Sequence, residues 1–380
     1  MTTGQRMGRI TARWITCIAL LAVIAGCAGP DKPKPAELGP NAALINVRLA
    51  WSSRIGPVNF PLNVKVNAGS ITVAATDGTV AALDGASGRD VWRVQLGSPI
   101  GAGAGSDGRY AAVVTRGNEL VVLDRGSEVW RETLGALGYT PPLVAGARVF
   151  VMTADRVVTA FDALTGRKLW VYTRPGEQGL ALRQAGVLLA VGDTLVAGLS
   201  GRLVGLNPLN GTLRWEAPIA SPRGTNDIER LVDLVGGVGR DGDIVCARAF
   251  QAAVGCANAA RGTVLWSKPA AGAEGVHGDG QFVYGTESDG KVIAWRRSDG
   301  ERVWTSERLK YRGLTAPLVI GRSVAVGDAQ GLVHLLSRQD GSPLGRIATD
   351  GSAVAAAPVL VGDTLVVVTR NGGVFGFKPE

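Results

Sequence analysis

The sequence predicts an all-β protein built from repeated units, and three observations support this. Glycine accounts for 54 of 380 residues, about twice its usual share of ~7%, as expected for many tight turns. Charged residues make up only 19%, too few for a coiled coil, while 46% hydrophobic residues suffice for a packed core. Most tryptophans also recur at spacings of 38 to 51 residues. Self-similarity with such a period is typical of repeat architectures.

The first 26 residues predict a secretory signal peptide. Arginines precede an apolar run at residues 14–24, which is shorter than the about 20 residues that a membrane-spanning helix needs. The run leads to Ile-Ala-Gly-Cys at residues 24–27, which resembles the lipobox of bacterial lipoproteins. In that class the signal peptide is cleaved before Cys27, which is then acylated. Ala28, rather than Asp, implies sorting to the outer membrane. An ordinary secretory signal with a chance cysteine is the alternative.

Removal of the signal peptide changes the charge balance. Arg6, Arg9 and Arg13 are lost together with no acid, so the net charge falls from +8 to +5. The remaining chain has no run of more than two basic residues, so nucleic-acid binding is not predicted. Residues 27–43 begin with a proline-rich stretch and predict an extended, flexible tether between Cys27 and a domain of residues 44–380.

One sequence pattern recurs through that domain. It is clearest at residues 77–92, where Asp-Gly precedes an apolar strand, an Asp, a Gly and finally a Trp. Tight hairpins need residues that adopt positive φ, and Asp-Gly dipeptides supply them. Each period predicts four short strands, for example at residues 142–145, 148–153, 157–162 and 168–172. A four-stranded unit of roughly 40 residues is the blade of a β-propeller.

The repeat count predicts eight blades of four antiparallel strands. Its tryptophans mark seven outer strands, at Trp51, Trp92, Trp130, Trp170, Trp215, Trp266 and Trp304. An eighth outer strand falls near Gly345, where the turn is present without its tryptophan. The last blade lacks a fourth strand, which residues 44–55 supply, so the N-terminal strand closes the ring and covers an open edge. Each tryptophan is predicted to pack between blades, where its truncation would cost roughly 3–5 kcal/mol.

Residues typical of catalysis or metal binding are scarce. The two histidines, His277 and His334, have no visible partner, and metal-ligand spacing is absent. Two G-x-G-x-x-G matches, at residues 103–108 and 237–242, open no predicted helix. Neither nucleotide binding nor a metal centre is therefore predicted.

Cys246 and Cys256 are expected to form a disulfide. A three-residue loop around Phe250-Gln251 would place them opposite each other on adjacent strands. The periplasm is oxidising and permits such a bond. We expect it to stabilise the domain rather than to act in catalysis. Two reduced core thiols are the alternative.

The repeat also resembles that of propellers of the pyrroloquinoline-quinone type, as in Ala82 to Trp92 with one residue inserted. Two families share this repeat. One is the quinoprotein dehydrogenases, which hold the quinone with a vicinal disulfide, a stacking Trp and Ca²⁺. This chain has no adjacent Cys pair, and Trp295 is its only Trp outside the repeat positions after the signal peptide. No cofactor and no enzymatic activity are therefore expected.

The second family is BamB, lipoprotein subunits of the outer-membrane β-barrel assembly machinery. The resemblance covers the lipobox, the tether, the eight blades and the closing strand. It extends to residues 179–183 (Gly-Leu-Ala-Leu-Arg) and 227–233 (Asp-Ile-Glu-Arg-Leu-Val-Asp), which are similar to loops that dock BamA in this family. The resemblance implies BamA contacts by Leu180, Leu182, Arg183, Asp227, Glu229, Arg230 and Asp233. A second Asp of the family pattern is replaced here by Val235.

The spacing of the repeat indicates the same two segments. The longest intervals follow Trp170 (45 residues) and Trp215 (51 residues), and both insertions join the fourth strand of one blade to the first strand of the next. Such connections share one face of a propeller. An exposed Leu-x-Leu-Arg loop favours a covering partner, because apolar groups and Arg are typical interface anchors. Long loops that pack on their own blades are the alternative.

These features predict a non-enzymatic scaffold lipoprotein of the outer membrane that faces the periplasm. The resemblance implies that it binds BamA, within the assembly complex, and assists insertion of β-barrel proteins. Nascent barrel chains adding to blade edges are a weaker further partner. A quinone-dependent enzyme and a generic periplasmic binding propeller are the competing functions.

Overall fold

A computed structural model describes residues 33–175, 181–222, 225–226 and 231–380 of the protein. In this part of the chain the regular secondary structure is β throughout, with thirty-two strands in eight antiparallel sheets of four. The sheets form the blades of a ring, so the predicted eight-bladed β-propeller is confirmed. None of the described residues belongs to a helix that could cross a membrane.

The first strand of the described residues is β1 (Val47–Arg54), and blades 1 to 4 follow it. Each of these blades consists of four consecutive strands that pair in chain order. Their bounds are, for blade 1, β2 (Lys65–Asn67), β3 (Ser70–Ala74), β4 (Thr79–Asp84) and β5 (Asp90–Gln95); for blade 2, β6 (Ile100–Ser106), β7 (Tyr110–Thr115), β8 (Glu119–Asp124) and β9 (Ser127–Thr133); for blade 3, β10 (Leu143–Ala145), β11 (Arg148–Met152), β12 (Val158–Asp162) and β13 (Lys168–Tyr172); and for blade 4, β14 (Leu188–Val191), β15 (Thr194–Leu199), β16 (Arg202–Leu206) and β17 (Leu213–Pro218).

Blades 5 to 7 repeat this order, and blade 8 combines the last three strands with β1. Their bounds are, for blade 5, β18 (Leu234–Asp241), β19 (Ile244–Ala249), β20 (Ala253–Asn258) and β21 (Thr263–Pro269); for blade 6, β22 (Val276–Gly278), β23 (Phe282–Thr286), β24 (Val292–Arg296) and β25 (Arg302–Ser306); for blade 7, β26 (Leu318–Ile320), β27 (Ser323–Gly327), β28 (Leu332–Ser337) and β29 (Pro343–Ala348); and for blade 8, β30 (Val359–Val361), β31 (Thr364–Val368) and β32 (Gly373–Pro379).

The N-terminal strand closes the ring as predicted. β1 pairs antiparallel with β32, with Trp51 opposite Gly376, and forms the outer edge of blade 8. A register shift between Leu49 and Trp51 marks a β-bulge. The same irregularity recurs where the third and fourth strands of the other blades meet, for example between Ala82 and Leu83. A bulge increases the local twist of a strand pair and re-aims its side chains.

The repeat tryptophans join neighbouring blades. The indole N–H of Trp266, for example, donates to the backbone carbonyl of Arg297 in the next blade at 2.7 Å. The repeat glycine of the next blade lies against the indole of the tryptophan, and a Cβ built on Gly88 would come within 2.2 Å of Trp51. Gly88 has a φ of +69°, which suits glycine in its tight turn. The Trp and the Gly of the repeat are therefore the two halves of one contact between blades.

An N-terminal strap, residues 36–46, precedes β1 and lies against blade 7. Ala36 N donates to the carbonyl oxygen of Lys310 at 2.8 Å, and Arg346 Nη2 donates to the carbonyl oxygen of Gly39 at 3.3 Å. Leu38 packs on the apolar cluster between blades 6 and 7. The chain from Ala36 onward forms one compact unit. Residues 36–43, which the sequence analysis assigns to the tether, thus contact the propeller through residues far away in the chain.

Candidate partner-binding surface

Two long connections on one face of the ring carry the predicted partner-binding residues. The first, residues 173–187, joins β13 to β14, and the second, residues 219–233, joins β17 to β18. Leu180, Asp227, Glu229 and Arg230 lie outside the described residues. Leu182, Arg183 and Asp233 lie within them, and the geometry of the surface rests on these three.

The first connection is bonded to the second by Leu182 N, which donates to Asp233 Oδ2 at 2.8 Å, and to the start of β18, which the second connection enters. Gly186 forms an antiparallel β-bridge with Val235, and Gly236 N donates to the carbonyl oxygen of Ala185 at 2.6 Å. Gly186 N also donates to Thr140 Oγ1 at 3.0 Å, which joins the first connection to the start of blade 3. Backbone bonds of this kind fix a segment independently of its side chains. The two loops therefore form one surface, which we call the paired-loop surface.

Asp233 braces the paired-loop surface from within. Its Oδ1 accepts a hydrogen bond from Arg156 Nη2 at 3.0 Å, and its Oδ2 accepts one from Leu182 N at 2.8 Å. The side chains of Arg156 and Asp233 are only 13% and 16% exposed. Both carboxylate oxygens are thus used inside the protein. This geometry suits Asp233 to positioning the loop, and the direct partner contact that the family resemblance implies stays a prediction.

Leu182 and Arg183 present different chemistry to solvent. Leu182 is half-buried and lines a small cleft together with Tyr139 and Met152. Arg183 is exposed, and its guanidinium carbon lies 5.7 Å from the centroid of the Tyr139 ring, a cation–π arrangement. The next residue, Gln184, donates through Nε2 to the carbonyl oxygen of Ala273 at 2.6 Å. Arg183 is therefore held in place next to apolar side chains, in a loop that the hydrogen bonds of Asp233 fix.

The paired-loop surface borders the central channel of the ring. This channel has a volume of about 950 Å³, and Arg183 and Gln184 lie on its lining. Four cationic side chains and one carboxylate belong to that lining: Lys65, Arg116, Arg183, Arg370 and Glu274. No sequence motif marks Lys65, Arg116, Arg370 or Glu274, and the four residues come from different parts of the ring.

The histidines have structural partners. His277 Nδ1 accepts a hydrogen bond from Val319 N at 3.2 Å, and burial next to Arg297 lowers the pKa of its imidazole. His334 Nε2 lies 2.9 Å from Asp328 Oδ2. The sequence had shown no partner for either, since these contacts cross between strands or blades. Within the described ranges no group of three His, Cys, Asp or Glu side chains could hold a metal ion.

Cys246 and Cys256 lie directly opposite each other on β19 and β20, with Cα atoms 3.9 Å apart, and a disulfide joins them in the structure. Both residues are fully buried beside Trp266 and Trp295. A bond in such a place is closed to substrates. It ties the two central strands of blade 5, the blade that follows the second long connection.

The fold and this surface together define the class: an eight-bladed propeller whose closed ring carries two long, mutually bonded loops on one face. A family model described as outer membrane protein assembly factor BamB matches residues 76–306. The chain is also 37% identical over 372 residues to the BamB of Burkholderia pseudomallei, covering 96% of this chain and 97% of the relative. It is 36% identical over 380 residues to the BamB of Bordetella pertussis, with 98% of each chain covered. The chain therefore belongs to the BamB family of outer membrane protein assembly factors.

Solved structures agree with this assignment. The crystal structure of BamB from Moraxella catarrhalis superposes with a TM-score of 0.78 at 26% identity, covering 88% of this chain and 100% of that one. A quinohemoprotein alcohol dehydrogenase from Comamonas testosteroni gives a TM-score of 0.65 at 15% identity, covering 89% of this chain and 77% of that one. The second likeness shows the shared propeller fold alone. The full-length relatives are named assembly factors, so the quinone-dependent enzyme is not favoured.

Proposed function

We propose that the protein is a non-enzymatic scaffold of the outer membrane protein assembly machinery that binds BamA through the paired-loop surface. The observation that carries this proposal is the braced position of Leu182 and Arg183, held by the carboxylate of Asp233. A partner that covers this surface meets an arginine and an apolar side chain already fixed in place. Preorganisation of this kind raises affinity because little conformational entropy is lost on binding.

The ring itself supports a scaffolding role. Its blades are joined by tryptophan contacts, and its first and last strands are paired, so the docking loops stand on a rigid frame. A rigid frame with one docking surface can hold the periplasmic part of BamA in a fixed orientation while barrel proteins are inserted. This role needs geometry and affinity, and it needs no catalytic group.

A pull-down with BamA tests the proposed surface. We expect Arg183→Glu to weaken BamA binding by at least about tenfold and Leu182→Asp to do the same, as for central interface residues. Arg167→Glu is the matched control, because Arg167 is exposed in the turn between β12 and β13 on the opposite face. If the folded Arg183→Glu and Leu182→Asp proteins bound BamA as strongly as the control, the proposal would be contradicted.

We also propose that Cys27 carries the lipid anchor and holds the protein at the periplasmic side of the outer membrane. Several acyl chains give stable anchoring, whereas a single chain gives only reversible binding. Cys27→Ala should therefore release the protein into the soluble periplasmic fraction and abolish incorporation of labelled palmitate. Continued recovery of the variant in the outer-membrane fraction would exclude anchoring through this cysteine.

A further inference from the structure

The central channel has a mouth on the same face as the paired-loop surface. Arg116 lies in the turn between β7 and β8, and Arg370 in the turn between β31 and β32. Lys65 begins β2, directly after the connection that enters blade 1. Turns between second and third strands share a face with the connections between blades, since the strands of a blade alternate in direction. All three cations therefore lie at one mouth.

These cations occupy three consecutive blades. Arg370 belongs to blade 8, Lys65 to blade 1 and Arg116 to blade 2, so together they form a basic arc. Within the described residues none of them takes part in a salt bridge. Arg312, by contrast, pairs with Asp328 at 2.8 Å. The arc therefore carries positive charge that no salt bridge among the described residues neutralises.

The electrostatics of the mouth favour an incoming anion. Burial lowers the pKa of the Lys65 ammonium, and no carboxylate opposes that shift. The one carboxylate of the lining, Glu274, has a pKa that burial raises, against the opposing influence of Arg248 and Arg370. An acidic ligand would offset the desolvation of Lys65 and pair with the two exposed arginines.

The channel also has room for a chain segment. Small residues form much of its wall, among them Gly101, Gly236, Gly237, Ala355 and Ala356. Its volume of about 950 Å³ lies at the upper end of the range for ligand sites, ~300–1,000 Å³. The mouth is continuous with the paired-loop surface through Arg183 and Gln184, which line both. A polypeptide could therefore run from the docking loops into the channel.

We propose that the basic arc of Lys65, Arg116 and Arg370 binds an extended acidic polypeptide segment in the mouth of the central channel. The carboxylates of the segment pair with the two arginines at the rim, and one approaches Lys65 on the inner strand. This site lies beyond the BamA-docking surface of the proposed function. It uses charge rather than sequence-specific pockets, so it suits segments of varied sequence.

Fluorescence anisotropy tests this site with the full-length mature protein. The probe is a labelled ten-residue peptide of alternating Glu and Gly, compared with the same peptide carrying Gln for Glu. We expect the acidic peptide to bind, the Gln peptide to bind at least about tenfold more weakly, and rising salt to weaken the acidic complex. No binding of the acidic peptide to the wild-type protein at low salt would overturn the proposal.

Charge reversal locates the binding. The triple variant Lys65→Glu, Arg116→Glu, Arg370→Glu should lose at least about tenfold in affinity. Its control is Arg167→Glu, Arg261→Glu, Arg302→Glu, which changes the net charge equally at exposed positions outside the channel. Equal losses in the two variants would show attraction to overall charge and refute the site. If substitution of the half-buried Lys65 prevents folding, the double variant Arg116→Glu, Arg370→Glu replaces the triple variant, because both arginines lie in exposed turns.

Two further measurements separate the alternatives. In one arm, vesicles containing phosphatidylglycerol replace the peptide. If the triple variant lost vesicle binding but kept peptide binding, the arc would be a lipid site, and the proposal would be overturned. A BamA pull-down with the triple variant forms the other arm. Because this variant keeps Arg183 and Leu182, we expect it to bind BamA as the wild type does while it loses the acidic peptide. The paired-loop surface and the channel site are therefore tested separately.

Discussion

The carboxylate of Asp233 joins two residues that lie 77 and 51 positions away along the chain, Arg156 and Leu182. Its two oxygens are divided between a guanidinium and a backbone amide, and both contacts lie largely out of solvent. Hydrogen bonds to charged groups are worth about 1.5–3 kcal/mol, more than those between neutral groups. One residue thus holds the loop that presents Arg183.

Replacement of Asp233 therefore has two expected effects. Asp233→Ala should reduce the free energy of unfolding by about 2 kcal/mol and weaken BamA binding, because the amide of Leu182 loses its acceptor. Hydrogen exchange should show faster exchange at the Leu182 amide while the core strands of blade 4 stay protected. Asp233→Asn, which retains one acceptor oxygen, should restore part of the protection. Unchanged exchange at Leu182 in the Ala variant would disprove the positioning role.

The repeat contact shows the same dependence on a distant partner. Trp51 in the last blade packs on Gly88 in the first, and its indole N–H donates to the carbonyl oxygen of Gly85 at 3.1 Å. Any side chain at Gly88 would displace that ring. The motif spaces a Gly and a Trp within one blade, yet each finds its partner in a neighbouring blade.

At the scale of the element, blade 5 is the one whose central strands are covalently joined. β19 and β20 already pair through their backbones, and the bond between Cys246 and Cys256 adds a cross-link with a sequence separation of 10. A disulfide stabilises mainly by restricting the unfolded chain, and the effect grows slowly with loop length. The short hairpin therefore gains a moderate amount.

We predict that the disulfide is present in the mature protein. Mass spectrometry without reductant should find Cys246 and Cys256 in one cross-linked peptide. The double variant Cys246→Ala, Cys256→Ala should lose about 2–3 kcal/mol of unfolding free energy and keep its affinity for BamA. Detection of two free thiols in protein purified from the periplasm would refute the assignment.

The contacts of the N-terminal strap became evident only in the structure. Arg312 donates through Nη1 to the carbonyl oxygen of Ala36 at 3.0 Å and through Nε to Asp328 Oδ2 at 2.8 Å, so a buried ion pair holds the first residue of the strap. Arg312 belongs to the connection between β25 and β26. That connection shares its face of the ring with the paired-loop surface and the channel mouth. The strap therefore begins on the face of the ring that carries both proposed binding sites.

For the whole molecule, the repeat made the fold predictable. Seven blades carry the same turn residues and the same Trp, and the remaining one keeps the turn without the Trp, so eight weak local patterns support one another. The predicted strands of blade 3 agree with β10 to β13 to within one residue at each end. The closing strand followed from the count alone, because an open edge is costly.

The candidate site was predictable only in part. The long connections stand out as insertions in a regular spacing, and they do meet, as the hydrogen bond from Leu182 N to Asp233 Oδ2 shows. The brace between Asp233 and Arg156 and the basic arc at the channel mouth have no local pattern. Each depends on which residues of different blades the ring brings together.

The sequence by itself determined the blade count, the closing strand, the two long connections and the scarcity of catalytic residues. These are properties of period, spacing and composition, which a linear chain records directly. Only the tertiary structure decided that Asp233 points inward, that the strap begins at Ala36, and that Lys65, Arg116 and Arg370 meet at one mouth. The physical reason is ring closure, which places residues hundreds of positions apart within reach of one ligand.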